Sequence, residues 1–127
     1  MQLLVVDDEP IVAAMFKMFL ELSGHRVTSV PDGANALAAL MEQHFDLAVV
    51  DLTLPQMDGW ELCRRINRSY PNIPVILASG RAISGVTVRE EKVSVSAVLG
   101  KPFDMQRLLD AIGVATAVPK AAVASST

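Results

Sequence analysis

Short apolar runs recur along the chain, and stretches of mixed polar and apolar residues separate them. Near-continuous hydrophobicity over four or five positions is typical of a strand that is covered on both faces. Five runs have this character: Leu3 to Val6, Val27 to Val30, Leu47 to Val50, Val75 to Ala78 and Val95 to Leu99. Their alternation with helical stretches predicts an α/β fold built on a doubly wound, parallel sheet of five strands.

The stretches between the runs contain helix start signals. An acidic residue that can cap or open a helix precedes most of them: Asp8 or Glu9 with Pro10, Asp32 before 34–41, Asp58 before 59–67 and Asp104 before 105–114. The stretch from Ile83 to Val93 contains Gly85 and adjacent β-branched residues, so we expect a short or mobile helix there. We predict one folded domain over residues 1–114 and a flexible tail or linker over 115–127.

Length and charge narrow the possible functions. A chain of 127 residues fits one domain with a single core. Its composition, 51% hydrophobic and 20% charged, is ordinary for a globular protein and too apolar for a disordered one. The net charge is -3 and the basic residues are scattered, so we expect no direct binding of nucleic acid.

The sequence has no evident segment for export or membrane insertion. Its longest apolar stretch, Ile11 to Leu20, is interrupted by Lys17 and is shorter than the ~20 residues that span a bilayer. Met1 is followed directly by a strand-like run rather than by the pattern of a signal peptide. Cys63 is the single cysteine, which suits a reducing compartment and, with the Met residues, is expected to pack in or near the core. We expect a cytoplasmic protein without membrane contact.

Polar residues occupy the carboxyl ends of four predicted strands. Asp7 and Asp8 end the first strand, Asp51 the third, Ser79 the fourth and Lys101 the fifth. In an open parallel sheet these ends form the crevice where ligands bind, at the point where the strand order reverses. The sequence therefore predicts one pocket that combines three carboxylates, a hydroxyl and an ammonium group.

Those residue types point to phosphoryl transfer. Carboxylates packed together repel each other unless a cation joins them, and oxygen ligands without His or Cys favour Mg²⁺ or Mn²⁺. An aspartate can act as a nucleophile toward phosphorus and form an acyl phosphate. Lys101 would place a positive charge on the transferring group, and the Ser79 hydroxyl would donate to another of its oxygens.

Four sets of residues, in order and spacing, resemble the response-regulator receiver family over residues 2 to about 114. They are Val6-Asp7-Asp8-Glu9-Pro10, Asp51-Leu52-Thr53-Leu54-Pro55 with Met57-Asp58-Gly59-Trp60, Ala78-Ser79-Gly80, and Lys101-Pro102-Phe103. The resemblance implies a flavodoxin-like fold with five helices and the strand order 2-1-3-4-5. It also implies a two-component switch that is phosphorylated by a histidine kinase or histidine phosphotransfer protein and acts on a downstream protein. Such a domain is not a metabolic enzyme, because it catalyses only its own phosphorylation and dephosphorylation.

The same resemblance assigns roles to individual residues. Asp51 would be the phosphoacceptor, with Mg²⁺ held by Asp8, Asp51 and the backbone carbonyl of Thr53, and with Asp7 acting mainly through water. Ser79 and Lys101 would contact the phosphoryl group. The Lys101-Pro102 peptide would be cis, an isomer that proline makes accessible. Gly59 would serve a tight turn before the third helix.

Two positions depart from the family pattern. The residue three places before Lys101, usually aromatic in the family, is Val98, whose β-branched side chain cannot swing as a ring does. We therefore expect signalling to rely more on Ser79 and the loop after it. The glycine expected near the end of the fourth helix is missing, and Ser94 stands near that position.

The first helix contains more apolar residues than one core-facing side needs. The expected core set is Val12, Met15, Phe16 and Phe19, and a second set at helical spacing is Ile11, Ala14, Met18 and Leu22. We predict that the second set is a docking stripe for the histidine-bearing partner, which in the resembling family often binds this helix. Extra packing under a loop, or contact with a neighbouring domain, is the alternative.

Other functions remain open at this stage. The domain would be a free-standing regulator, a relay intermediate or a receiver from a hybrid kinase. A pseudo-receiver that binds without phosphorylation is an alternative. A phosphohydrolase would need an acid-base Asp where Thr53 stands, and a flavin-binding module would need glycines where Asp7 and Asp8 stand.

Overall fold

The structure is a computed structural model that describes residues 1–101 and 104–117. Helices and strands alternate along this part of the chain: β1 (Gln2–Val6), α1 (Pro10–Leu22), β2 (Arg26–Val30), α2 (Gly33–Glu42), β3 (Leu47–Asp51), α3 (Gly59–Ser69), β4 (Val75–Ser79), α4 (Gly85–Glu90), β5 (Ala97–Gly100) and α5 (Met105–Ala117). The strands form one parallel sheet in the order β2-β1-β3-β4-β5. The predicted fold class and strand order are confirmed.

The three inner strands, β1, β3 and β4, bury both of their faces, because helices cover the sheet on both sides. On β1, Leu4 and Val6 face a cluster that includes residues of α2 and α3, whereas Leu3 and Val5 face a cluster that includes residues of α1 and α5. Alternate residues of a strand point to opposite faces, so an uninterrupted apolar run fills both clusters. Cys63 of α3 is fully buried in the first cluster, as predicted for core packing.

The predicted caps of three helices are present. The side chains of Asp32, Asp58 and Asp104 each accept a hydrogen bond of 2.8 Å from the backbone N–H three residues later. This bond satisfies one of the N–H groups that a helix start leaves without a partner. Helix α1 begins differently, with Pro10 in its first turn and Glu9 as an N-cap whose side chain makes no capping bond.

The fourth and fifth helices end at other places than predicted. Helix α4 is shorter than the predicted range 83–93, and the left-handed residue after it is Lys92, with φ of 59°, rather than Ser94. Helix α5 continues beyond Val114 to Ala117. The rest of the predicted tail, residues 118–127, lies outside the described residues, as do Pro102 and Phe103 with the predicted cis peptide.

The apolar residues of α1 divide between core and surface differently from the prediction. Met15, expected in the core, is 53% exposed, whereas Leu20, which was not in the expected set, is fully buried beside Phe16. Phe16 and Leu20 are four residues apart and therefore share one face of the helix, while Met15 lies about 100° away from Phe16. Within the described part of the chain, no helix is long and apolar enough to cross a membrane.

Candidate functional site

The carboxyl ends of the strands bring the predicted polar residues together. Asp51 ends β3, which pairs with β1 on one side and with β4 on the other, so Asp7 and Ser79 flank it. Asp7, Asp51 and Ser79 are only 3%, 5% and 4% exposed, respectively, whereas Asp8 is exposed. Burying two carboxylates side by side is costly unless positive charge compensates them.

Lys101 provides part of that compensation. Its Nζ lies 3.0 Å from Asp7 Oδ2 and 3.0 Å from Asp51 Oδ2, so it bridges the two buried carboxylates. Partial burial acts to lower the pKa of Lys101, but the hydrogen bonds and charges of Asp51 and Asp7 outweigh this effect and raise it. Lys101 therefore stays positively charged near neutral pH.

Backbone amides hold the other oxygen of each buried carboxylate. The Glu9 N–H donates to Asp7 Oδ1 at 2.9 Å, and the Thr53 N–H donates to Asp51 Oδ1 at 3.0 Å. Both carboxylates are thus fixed at two points by a backbone donor and by Lys101. The contact with Glu9 is of a common local type, in which an Asp side chain bonds to the N–H two residues later.

Ser79 is fixed in the same manner. Its Oγ accepts a hydrogen bond from the Arg81 N–H at 3.0 Å, and its carbonyl accepts one from the Lys101 N–H at 2.6 Å. The hydroxyl hydrogen remains available to another acceptor, because these bonds use only acceptor positions of the residue. Ser79 therefore lies at the end of β4, which pairs with β3 on the Asp51 side and with β5 on the Lys101 side.

Gly59 is needed for a close approach to the backbone of Asp51. Its own backbone is not left-handed, so a positive φ is not the reason for glycine here. A Cβ at this position would lie 2.5 Å from the Asp51 carbonyl oxygen and 2.5 Å from Leu52 Cα. The first residue of α3 thus packs directly on the backbone of Asp51, and only glycine fits there.

The loop between Asp51 and α3 includes a feature that the sequence did not reveal. Gln56 has φ of 66°, and the Met57 N–H donates to the Pro55 carbonyl at 2.7 Å across it. This is a γ-turn in the less favourable backbone region for a residue with a side chain. The loop beside the site is therefore locally strained.

The acidic cluster has the chemistry of a magnesium site. Asp7, Asp8 and Asp51 each offer an oxygen, and these oxygens lie within 4.8 Å of one another. With the carboxylates ionised, three negative charges face the single positive charge of Lys101, which leaves two in excess. Oxygen ligands with this excess charge suit Mg²⁺, so the residues present fit the predicted ion.

The comparison with protein families decides the assignment. A model described as the response regulator receiver domain matches residues 3–113. The chain belongs to this family. It is a receiver domain of two-component signal transduction, in which signalling depends on phosphorylation.

Curated relatives of this receiver domain are longer proteins. The transcriptional regulatory protein TcrA of Mycobacterium tuberculosis is 34% identical over 107 residues, which is 84% of this chain and 42% of that protein. The transcriptional regulatory protein CseB of Streptomyces coelicolor is 37% identical over 101 residues, which is 80% of this chain and 43% of that protein. The chain spans less than half the length of these relatives.

Solved structures with the same fold include receiver domains of kinases. A sensor protein from Polaromonas sp. superposes with a TM-score of 0.84 and 27% identity, over 91% of this chain and 95% of that one. The receiver domain of a sensor histidine kinase from Pseudomonas aeruginosa gives 0.81 and 28%, over 91% and 97%. That second structure contains a magnesium ion coordinated in its active-site cleft.

Proposed function

We propose that this receiver domain accepts a phosphoryl group on Asp51 from the phosphohistidine of a histidine kinase or a histidine phosphotransfer protein. The observation that carries the proposal is the buried Asp51 carboxylate, bridged to Asp7 by Lys101 at the carboxyl edge of the sheet. An Asp51 oxygen attacks phosphorus, the P–N bond to the donor imidazole breaks, and the electron pair returns to that nitrogen. Lys101 carries the positive charge that stabilises the transferring oxygens.

The position of Asp51 supports its choice over the neighbouring aspartates. It lies on the central strand, between the acidic pair that follows β1 and the Ser79 and Lys101 side of the site. Asp8 is exposed. Asp7 is buried, at 3% exposed, but it follows β1 rather than the central strand, so neither residue combines burial with the central position. In this proposal Ser79 donates its hydroxyl to the phosphoryl group, and the neighbouring loop carries the response because Val98 offers no ring.

Mg²⁺ would be held by Asp8, Asp51 and the backbone carbonyl of Thr53, with Asp7 acting through water. When bound, the ion neutralises charge that develops on the phosphoryl oxygens. Removal of divalent cations with EDTA should therefore stop phosphoryl uptake.

The direct test measures intact protein mass after incubation with Mg²⁺ and a small acyl-phosphate donor. Wild type should gain one phosphoryl group, and Asp51→Asn should gain none. Asp46→Asn is the matched control, because Asp46 lies at the opposite end of β3 and should leave uptake unchanged. Uptake by Asp51→Asn would move the acceptor elsewhere, and no uptake by wild type would indicate a pseudo-receiver that works by binding alone.

The exposed face of α1 is proposed as the docking stripe for the phosphohistidine partner. Its residues Ile11, Met18 and Leu22 are 77%, 62% and 82% exposed, and Ala14 is exposed as well. Large apolar side chains grouped on one helix face are typical of a surface that a partner covers. Pro10 begins this helix directly after the acidic residues, so a partner on α1 would reach the site.

The replacement of Met18 and Leu22 together by Lys tests the stripe. Phosphotransfer from a histidine phosphotransfer protein should slow at least tenfold, whereas uptake from the small acyl phosphate should stay unchanged. Met41→Lys is the matched control, because Met41 is 83% exposed on α2. Equal slowing by the control, or normal transfer in the double variant, would contradict a docking role.

A further inference from the structure

Two polar side chains of α3 bond to the backbone of the segment that follows α4. Arg64 Nη1 donates to the Glu91 carbonyl at 2.9 Å and also lies 3.5 Å from Glu91 Oε1. Asn67, one turn later on the same helix, pairs with Ser94. Each contact joins residues that are 27 positions apart in sequence, so neither is part of local helix formation.

The Asn67 contact is a double hydrogen bond. Asn67 Nδ2 donates to the Ser94 carbonyl at 3.1 Å, and Asn67 Oδ1 accepts from the Ser94 N–H at 2.7 Å. One orientation of the amide satisfies both backbone groups at once, so the pair fixes Ser94 in position and in direction. Beneath it lies the fully buried Cys63, whose Sγ is 4.0 Å from the same carbonyl.

The chain reaches this contact through a sharp change of direction. Lys92 adopts the left-handed conformation just after α4, and Val93 and Val95 then pack on the core cluster that includes Cys63. The Ser96 N–H donates to the Val75 carbonyl at 2.8 Å, which joins the segment to the start of β4. Residues 91–96 are thus seated against α3 before β5 begins.

The other end of α3 rests on the proposed phosphoacceptor. Gly59 packs on the Asp51 carbonyl so closely that a Cβ would lie 2.5 Å from it, and the Gly59 N–H donates to the Leu52 carbonyl at 3.0 Å. A helix is stiff along its axis, and no compressible side chain lies between Gly59 and the Asp51 backbone. A displacement of that backbone would therefore press directly on the first turn of α3.

We propose that α3 is a mechanical link that transmits the state of Asp51 to residues 91–96, with Arg64 and Asn67 as positioning residues at its far end. The inference rests on the proposed function, because it takes Asp51 as the phosphoacceptor. It gives the domain a route to the α4 and β5 surface that does not need a swinging ring, and the ring position is Val98 in this chain. The route consists of backbone contact, helix and side-chain bonds in series.

A contact that only stabilises the fold would behave differently from a mechanical link. Such a contact stabilises residues 91–96 equally whether or not Asp51 carries a phosphoryl group, so its removal leaves the structural response of these residues to phosphorylation intact. A mechanical link makes that response depend on Asn67. The discriminating quantity is therefore the change that occupation causes in each variant, rather than stability alone.

The experiment uses the full chain, with Mg²⁺ and beryllofluoride as a stable tetrahedral analogue of the phosphoryl group. Backbone amide chemical shifts are recorded with and without the analogue for wild type, Asn67→Ala and Arg65→Ala. Arg65 is the matched control, because it lies on the same helix and pairs with Glu61 of its own helix at 3.1 Å. Phosphoryl uptake is measured by intact mass on each variant.

In wild type and in Arg65→Ala, the amides of Lys92, Ser94 and Ser96 should shift on addition of the analogue. In Asn67→Ala these shift changes should fall to less than half, while those at Gly80 and Arg81 and the phosphoryl uptake stay near wild type. If Asn67→Ala does not fold, Arg64→Gln removes the Glu91 contact and is expected to reduce the same shifts.

Three results would overturn the link. They are an undiminished response in Asn67→Ala, an equal loss in Arg65→Ala, and a wild type that takes up the phosphoryl group without any shift at residues 92–96. Wild type that binds neither the phosphoryl group nor its analogue would instead remove the proposed function, and the inference would fall with it.

Discussion

Strand β3 has an aspartate at each end, and the two have different tasks. Asp46, just before the strand, has a side chain that is 37% exposed, and its Oδ2 accepts a hydrogen bond from the Gln2 N–H at 2.8 Å. Its Oδ1 lies 3.2 Å from His44 Nε2. Asp51, at the other end, is 5% exposed and shares Lys101 with Asp7.

The difference shows what separates a structural carboxylate from a candidate catalytic one. Asp46 has donors around it, and its contact with Gln2 helps to hold the starts of β1 and β3 together. Asp51 is buried beside carboxylates whose charge Lys101 only partly offsets. A protein keeps such an excess of charge where a ligand completes the balance, and this arrangement reduces stability when the ligand is absent.

The largest expected effect on stability comes from Gly59→Ala, because the added methyl group presses on the end of β3 where Asp51 lies and leaves the Asp46 end unaffected. Its Cβ would lie 2.5 Å from backbone atoms, so α3 or β3 must shift, and we expect a loss of about 3 kcal/mol in the free energy of unfolding. Urea unfolding measures it. Gly113→Ala in α5 is the control, because among the described residues no atom beyond its chain neighbours and its own helix backbone lies within 4 Å of the added Cβ, and it should stabilise by about 0.5 kcal/mol. Equal effects in both variants would show that the close approach does not matter.

The next effect concerns Lys101→Met in the presence of EDTA. The change leaves Asp7 and Asp51 without their shared cation, and because Lys101 is partly solvated we expect a loss of about 2 kcal/mol. Millimolar Mg²⁺ should restore part of this loss by binding the same carboxylates. Lys17→Met, at an exposed position of α1, should change stability little with or without Mg²⁺. A Mg²⁺-independent loss in Lys101→Met would argue against a metal at the acidic cluster.

The smallest effect on stability is expected for replacement of Asp46, just before the start of β3, and this effect depends on pH. The hydrogen bond from the Gln2 N–H, helped by His44, lowers the pKa of Asp46 below its ordinary 3.8 despite partial burial. The stabilisation is therefore complete above about pH 4 and is lost as the pH falls through the lowered pKa. Asp46→Ala should cost about 1 kcal/mol at pH 7, after allowance for solvent screening, and less at pH 3, which lies below the ordinary pKa of an aspartate.

Denaturant unfolding at several pH values measures this dependence. Asp46→Asn is the control that keeps an acceptor but removes the charge, so it should lose less stability than Asp46→Ala at pH 7. A cost of Asp46→Ala that does not change between pH 7 and pH 3 would show that the Gln2 contact does not depend on the charge.

Patterns that act along the chain predicted the α/β fold class and the strand ends where the polar residues of the candidate site lie, whereas the strand order came from the family resemblance. Continuous apolar runs predicted the buried strands, and the polar residue at the end of each run predicted where Asp51, Ser79 and Lys101 would lie. The structure brings these residues together, whereas their roles in phosphoryl transfer remain predictions. The cap residue Asp58 was predictable for the same reason, because its partner is three positions away.

Features that depend on distant partners were not predictable. Nothing in the sequence around Asn67 indicates Ser94, and Lys101 was expected to contact the phosphoryl group rather than to bridge two carboxylates. Met15 was placed in the core because apolar residues surround the whole of α1, and helix periodicity alone cannot choose which face the sheet will cover. The γ-turn at Gln56 was not predictable either, because glycine and asparagine, the residues that most often adopt a positive φ, are absent from this position.

Because Cys63 is buried, the reactivity of its thiol measures how often the folded domain opens around it. This thiol is fully shielded in the folded domain and is the single cysteine of the sequence. A thiol reagent such as a chromogenic disulfide can modify it only when α3 and residues 91–96 separate or the whole domain unfolds. The rate of colour development in ordinary buffer, divided by the rate for the unfolded chain, would therefore give the free energy of that opening without a mutation.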